Sequence, residues 1–232
     1  HALALDEPGS DDAVPALPQR PADQGAERMP VFAGELGLGH RRLSVIDLSS
    51  GGHQPMYSAD RRFSLVYNGE IYNYEALRDE LVALGVQFRS VSDTEVLLAA
   101  WERWGTDCLP KLVGMFAFAL TDHARGTMTC VRDAFGIKPF YYSCNDNGLS
   151  FASELPAAVV LRDKGASLNL QRAYDYLVHG DYDSRPDTFV AGIEQLEPGR
   201  FIVLDLKTGA LSKPVAWWTP SIRPTSILSF KD

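Results

Sequence analysis

The segment Tyr67-Asn68-Gly69-Glu70-Ile71-Tyr72-Asn73 holds residue types that can stabilise developing negative charge. An Asn amide beside a Gly backbone N–H makes a pair of donors for an oxyanion. Gly also lets the backbone approach a substrate closely. The competing reading is a hairpin, because Asn-Gly is a favoured two-residue turn, and the local sequence by itself favours the turn. A second candidate is Arg42, within Gly39-His40-Arg41-Arg42-Leu43-Ser44. Its guanidinium can grip a carboxylate through two parallel bonds, although a surface arginine at a strand edge explains it locally. Asp93 is a third candidate. It could bind an ammonium group, or it could be a first-turn carboxylate favoured by a helix dipole.

Other segments carry less. Ser49-Ser50-Gly51-Gly52 lacks the Lys-Ser/Thr of a phosphate-binding loop. The histidines His1, His40, His53, His123 and His179 show no ligand spacing, so no metal site is expected. The three cysteines, Cys108, Cys130 and Cys144, lie too far apart for a zinc site and are odd in number. Cys130 sits in an apolar strand pattern, and Cys144 lies near a turn without an activating base.

The elements that must position these residues follow from periodicity. Residues 6–30 are rich in Asp, Pro, Gly, Ala and Gln and read as an irregular surface segment. Strand-length runs rich in β-branched and aromatic residues then recur at residues 42–46, 63–67, 115–120, 127–131, 140–142, 149–152 and 201–204. Tyr74, Leu77, Leu81 and Leu84 share one helical face, with Asn73 as N-cap and Gly85 as terminator. Ser92-Asp93-Thr94-Glu95 has the form of a capping box at the start of a second helix. Shorter helices are expected near residues 154–162 and 169–178. Strands on either side of a helical pair predict an α+β fold with mostly antiparallel pairing. Residues 213–232, with three prolines and the pair Trp217-Trp218, read as an exit segment.

Bulk properties narrow the class. A chain of 232 residues with 45% hydrophobic and 22% charged residues can bury a real core. A formal net charge of -8 disfavours nucleic acid and anionic membranes as partners. No apolar run is long enough to span a bilayer, and the N-terminal residues show no basic-then-apolar signal. With unpaired cysteines, the simplest expectation is the cytoplasm.

Ordered motifs add a resemblance. Gly37 to Asp47, Gly52-His53-Gln54-Pro55-Met56, Tyr67 to Asn73 and Ser92-Asp93-Thr94-Glu95 occur in turn. Gly114 to Ala119, Arg132-Asp133-Ala134-Phe135-Gly136-Ile137-Lys138-Pro139 and Phe151-Ala152-Ser153-Glu154 follow, then Leu196-Glu197-Pro198-Gly199. This string resembles the class II glutamine amidotransferase domain of glutamine-hydrolysing asparagine synthetases, over roughly residues 36–206. The resemblance implies the four-layer αββα sandwich of N-terminal-nucleophile hydrolases. It implies that Arg42 holds the glutamine α-carboxylate, that Asn68 and Gly69 form the oxyanion pair, and that Glu70 and Asp93 surround the α-amino group. Arg132, Asp133 and Gly136 would be mainly structural. The implied partners are L-glutamine and a C-terminal ATP-dependent synthetase domain, with homodimerisation left open. The implied whole protein is an ATP-binding ligase of asparagine biosynthesis. ATP and Mg belong to that synthetase domain, and no cofactor is expected in this chain.

Two departures qualify the resemblance. Active members begin with a Cys whose thiol attacks the glutamine amide and whose own α-amino group is the base. Here the first residue is His1 and no Cys precedes Cys108. The family's Arg-Gly-Pro-Asp loop is blurred to Arg20-Pro21-Ala22-Asp23-Gln24-Gly25. The expected layout is an irregular segment over 1–35 without the family's first strand, the amidotransferase-like domain over 36–212, and the exit linker over 213–232. The 232 residues alone are expected not to hydrolyse glutamine. The alternative is a degenerate, non-catalytic scaffold or interaction domain.

Overall fold

The computed structural model describes residues 26–31, 34–40, 53–145, 148–162 and 165–221. Its first strands are β1 (Ala26–Val31), β2 (Gly34–Gly39), β3 (Met56–Tyr57) and β4 (Phe63–Ile71). Helices α1 (Tyr74–Ala83) and α2 (Asp93–Trp104) follow, and a 3₁₀ segment spans Gly105–Lys111. Next come β5 (Gly114–Asp122), β6 (Thr127–Arg132), β7 (Tyr141–Asn145) and β8 (Gly148–Ala152). Short helices α3 (Leu155–Val160) and α4 (Leu170–His179) precede β9 (Glu194–Gln195), β10 (Arg200–Asp205) and β11 (Val215–Ala216).

Strand pairing is antiparallel. A six-stranded sheet has the order β11-β10-β6-β5-β4-β3, a three-stranded sheet the order β8-β7-β9, and β1 pairs with β2. The two-residue period of the strands divides the core into two layers. Leu65, Tyr67 and Ile71 of β4, with Phe116, Phe118 and Leu120 of β5, pack on Leu81, Val96, Leu97 and Trp101 of the helical pair. The Trp101 ring meets the Phe118 ring edge-on, with centroids 5.8 Å apart. On the opposite face Val66, Ala117, Ala119, Met128, Cys130 and Ile202 meet Leu36, Leu38 and Tyr142 of the other sheets and Phe140 just before β7. Helix α3 packs on β7 and β8. The layers are therefore helix, sheet, sheet, helix, as the αββα expectation requires. With both faces covered, β4 and β5 read as nearly continuous apolar runs.

Several local expectations change. Residues 26–30, read from composition as irregular, lie in β1, whose backbone pairs with β2 from Ala26 opposite Gly39 to Val31 opposite Gly34. Asn73 occupies the N-cap of α1 without capping it. Its amide spans to the chain after the 3₁₀ segment, with Nδ2 donating to the Lys111 carbonyl at 2.9 Å and Oδ1 accepting from the Val113 N–H at 3.0 Å. Only half of the capping box forms. Ser92 Oγ accepts the Thr94 N–H at 3.1 Å, but the Glu95 carboxylate turns to the Arg89 and Ser90 N–H groups instead of returning to Ser92. The strand expected at 42–46 lies outside the described residues. The exit segment is docked from Val215 to Trp218: β11 pairs with β10, and Trp217 stacks on Phe116 with ring centroids 5.9 Å apart.

Leu81 is fully buried beneath this helical layer, whereas Val82 beside it is 54% exposed. Leu81→Ala is expected to cost about 2–5 kcal/mol through lost transfer energy and the residual cavity. Val82→Ala should stay within about 0.5 kcal/mol. Urea unfolding of the two variants checks the contrast.

Candidate functional site

Strand β4 carries the candidate donors, and its outer edge explains why they stand apart. β3 covers that edge only opposite Leu65 and Ser64. Beyond that point the outward N–H groups must find other partners, because a buried orphan donor costs free energy comparable to a lost hydrogen bond. The Tyr67 N–H donates to Gln54 Oε1 at 2.6 Å, and the Ile71 N–H donates to Asp93 Oδ2 at 3.1 Å. In an antiparallel ladder, N–H groups two residues apart face the same side. The Gly69 N–H therefore faces this edge, between the two side-chain-satisfied donors. Among the described residues it meets no acceptor there.

Asn68 and Glu70 lie one residue to either side, half-buried, on the face that Val66 turns toward the second sheet. Asn68 stands opposite Ala117 of β5, so a methyl group is all that faces it across the strand. The Asn68 amide makes no hydrogen bond to another described residue. Gly69 stands opposite Phe116. A Cβ at Gly69 would overlap the Met115 carbonyl oxygen and lie 2.7 Å from Phe116 Cα. Gly is required here by this close approach of two strands.

Asp93 begins α2 and is 5% exposed. Its Oδ2 accepts both the Ile71 N–H and the Tyr67 hydroxyl, the latter at 2.7 Å. Burial, followed by the Asp93 charge, pushes the Tyr67 hydroxyl far above the ordinary phenol range, so it stays a neutral donor. Asp93 Oδ1 takes no hydrogen bond from another described residue. Asn68, Gly69 and Glu70 are thus consecutive on β4, and Asp93 meets the edge of the same strand at Ile71. The turn reading of Asn68-Gly69 is set aside, since both lie inside a nine-residue strand. Arg42 lies outside the described residues.

Gln54 and Tyr67 support this edge; the sequence places both within the ordered motifs but gives neither a role at the site. No local pattern marks them, because Gln54 is recognisable only by its burial in the structure, at 5% exposure unusual for its type, and its partner Tyr67 is thirteen residues away. A cleft of about 360 Å³ opens beside β3, lined by His53, Met56, Tyr57, Arg89 and Glu95. Its lining includes none of Asn68, Gly69, Glu70 and Asp93. Its Glu95 carboxylate is already engaged by the Arg89 N–H and by the Ser90 N–H and hydroxyl.

None of the three cysteines lies on β3 or β4: Cys108 is in the 3₁₀ segment, Cys130 on β6 and Cys144 on β7. Burial pushes the Cys108 thiol up to about 12, and burial raises Cys130 as well. Cys144 lies exposed on β7. Among the described residues no group of three or more His, Cys, Asp or Glu side chains could hold a metal ion. No helix among them is long and apolar enough to cross a membrane.

A family model described as a glutamine amidotransferase domain matches residues 8–218. The chain is 33% identical over 205 residues to the putative asparagine synthetase [glutamine-hydrolyzing] 2 of Methanocaldococcus jannaschii, covering 82% of this chain and 39% of that protein. It is 39% identical over 164 residues to asparagine synthetase [glutamine-hydrolyzing] 3 of Bacillus subtilis, covering 69% of this chain and 26% of that one. The chain therefore spans well under half the length of these relatives. Among solved structures, glutamine phosphoribosylpyrophosphate amidotransferase from B. subtilis superposes with a TM-score of 0.56. That match has 21% identity and covers 78% of this chain and 35% of that one, which supports the fold.

Two predictions follow from this geometry. Gly69→Ala is expected to destabilise the protein by about 1–3 kcal/mol through overpacking, while Gly37→Ala, where a Cβ meets nothing within 4 Å, stays near neutral; thermal unfolding compares them. For Glu95, burial opposes ionisation, but the hydrogen bonds from Arg89 and Ser90 outweigh it and hold the carboxyl below its ordinary value of 4.5. A depressed folded pKa contributes stability above the unfolded value and loses it as pH falls through the folded one. Urea midpoints measured downward from pH 7 should fall below pH 4.5, and Glu95→Gln should flatten that part of the fall.

Proposed function

Because this chain belongs to the glutamine amidotransferase domain family, we propose that the open edge of β4 is the glutamine site of an asparagine-synthetase-like amidotransferase. The observation that carries this reading is the Gly69 N–H, held facing the edge between two satisfied neighbours with the Asn68 amide beside it. Two such donors suit the oxyanion of a tetrahedral intermediate, where preorganised dipoles act without reorganising. Arg42 would take the α-carboxylate of glutamine. The unshared Oδ1 of Asp93 and the Glu70 carboxylate would take its ammonium group.

The chemistry is acyl transfer to a thiol. A thiolate attacks the side-chain carboxamide carbon, and a C–S bond forms as the π electrons move to oxygen. The nucleophile's own α-amino group, having taken the thiol proton, passes it to the leaving nitrogen as the oxyanion collapses and the C–N bond breaks, so ammonia leaves and a thioester remains. Water then hydrolyses the thioester to glutamate. Cys108 and Cys130 are buried in the core layers and are unsuited to attack. The nucleophile would be an N-terminal Cys outside these 232 residues, and the ammonia would serve an acceptor carboxylate in a synthetase domain. By resemblance to asparagine synthetases, aspartate would be the default acceptor.

In the complete gene product, Asn68→Ala should lower kcat for glutamine hydrolysis about 10²–10³-fold with little change in KM. The 232-residue chain alone should release no ammonia. Undiminished hydrolysis by the variant would defeat the site assignment. Absence of hydrolysis by the complete wild-type protein would favour a degenerate scaffold domain instead.

A further inference from the structure

Behind β5, on the side away from β4, a buried charged loop takes hold of the residue that faces Gly69. Strand β6 ends at Arg132, whose register partner on β5 is Ala117. At the next position the ladder would lapse, and Asp133 replaces it. The Asp133 N–H donates to the Phe116 carbonyl at 2.8 Å, and the Phe116 N–H donates to Asp133 Oδ2 at 3.1 Å. Both backbone groups of Phe116 are thus held by one residue.

Asp133 is itself fixed. It is fully buried, and its carboxylate also accepts the N–H groups of Phe135, Ile137 and Lys138. The adjoining Arg132 guanidinium donates to the carbonyls of Lys138, Leu196 and Gly136. A Cβ at Gly136 would come 2.8 Å from Pro198 Cγ and 3.1 Å from that guanidinium, so the loop closes tightly. The Gly199 N–H donates to the Asp133 carbonyl, and the Trp217 N–H donates to the Gly199 carbonyl. Trp217 Nε1–H donates to the Arg132 carbonyl at 3.1 Å while its ring stacks on Phe116. Phe116 is gripped by its backbone through Asp133 and by its ring through Trp217.

Strands β4 and β5 meet so closely at Gly69 and Phe116 that no Cβ fits between them. A shift of Phe116 must therefore pass to Gly69. Resting on the glutamine-site reading, we propose that Asp133 is the positioning residue of the Asn68–Gly69 donor pair, acting through Phe116, with Trp217 closing the clamp from the docked C-terminal segment. Donors that stabilise an oxyanion act mainly in the transition state, so loosening them should spare substrate binding.

The test is steady-state glutamine hydrolysis by the complete gene product, with rates normalised to the folded fraction. Asp133→Asn keeps the side chain's size but converts one acceptor into a donor. It should lower kcat about 10- to 100-fold and leave KM within about twofold. An unchanged kcat, or a KM that rises in step with the loss, overturns the proposal. If Asp133→Asn does not fold, Trp217→Leu decides. It leaves the carboxylate in place and should show the same split, with kcat reduced about threefold or more; an unchanged kcat overturns the proposal. Asn68→Ala in the same series separates the two readings. If it leaves hydrolysis intact, or the wild type shows none, the glutamine-site reading falls and the clamp falls with it. If Asn68→Ala is crippled while the clamp variants keep their kcat, the clamp alone is wrong.

Discussion

A central β-strand with an uncovered edge must satisfy its backbone donors by other means, and this requirement organises much of the molecule. β3 covers β4 for two residues only. Past that point the edge is completed by side chains brought from elsewhere. Gln54 comes from the segment before β3, and Asp93 comes from the first residue of α2. Side chains can be placed one donor at a time, whereas a strand would cover the whole row. That selectivity is what leaves the Gly69 N–H facing outward between filled positions. It also ties α2 to β4 through the Tyr67 hydroxyl, so the helical layer and the sheet share a polar anchor within an apolar core.

Buried charge is handled the same way at the other side of β5. Burying an ion is costly unless its lone pairs and protons are matched. Asp133 is matched by backbone N–H groups and Arg132 by backbone carbonyls, and the two lie next to each other in sequence. Replacing buried charge of this kind by well-packed apolar side chains is often neutral for stability. The pair does specify one arrangement of the loop, because each partner is a directional bond to a different residue. Trp217 adds an apolar stack and one further bond to the same knot.

Much of the fold was legible in local pattern. Leu77 and Leu81 on the inner face of α1, the start of α2 at Ser92 and the strands at 115–120 and 127–131 stand where periodicity places them, whereas Leu84, expected on the same face, is 49% exposed just past the end of α1. Their signals are short-range, and both core layers reinforce them. The expectations that changed involve partners far off in sequence. Asn73 looked like a cap because it precedes a helix, but Lys111 and Val113 supply better-placed partners. Glu95 looked like the return arm of a capping box, but the Arg89–Ser90 turn offers it several N–H and O–H donors at once. Residues 26–30 read as irregular because the stretch 6–30 is rich in Asp, Pro, Gly, Ala and Gln, yet their backbone pairs with β2.

The order of the motifs determined the family and therefore the layered architecture, because each motif marks a local turn, cap or strand that the chain must form in sequence. Residue types also marked Asn68, Gly69, Glu70 and Asp93 as candidates. Only the tertiary structure set aside the turn reading of Asn68-Gly69, by placing both residues inside β4. The turn is a local preference worth little against a nine-residue strand whose partner across the ladder begins at Gly114. Only the tertiary structure placed Asp93 beside that strand and Gln54 on the donor before it. These contacts join residues far apart along the chain, and their energy comes from satisfying a buried strand edge, a requirement that exists only once the sheet has formed.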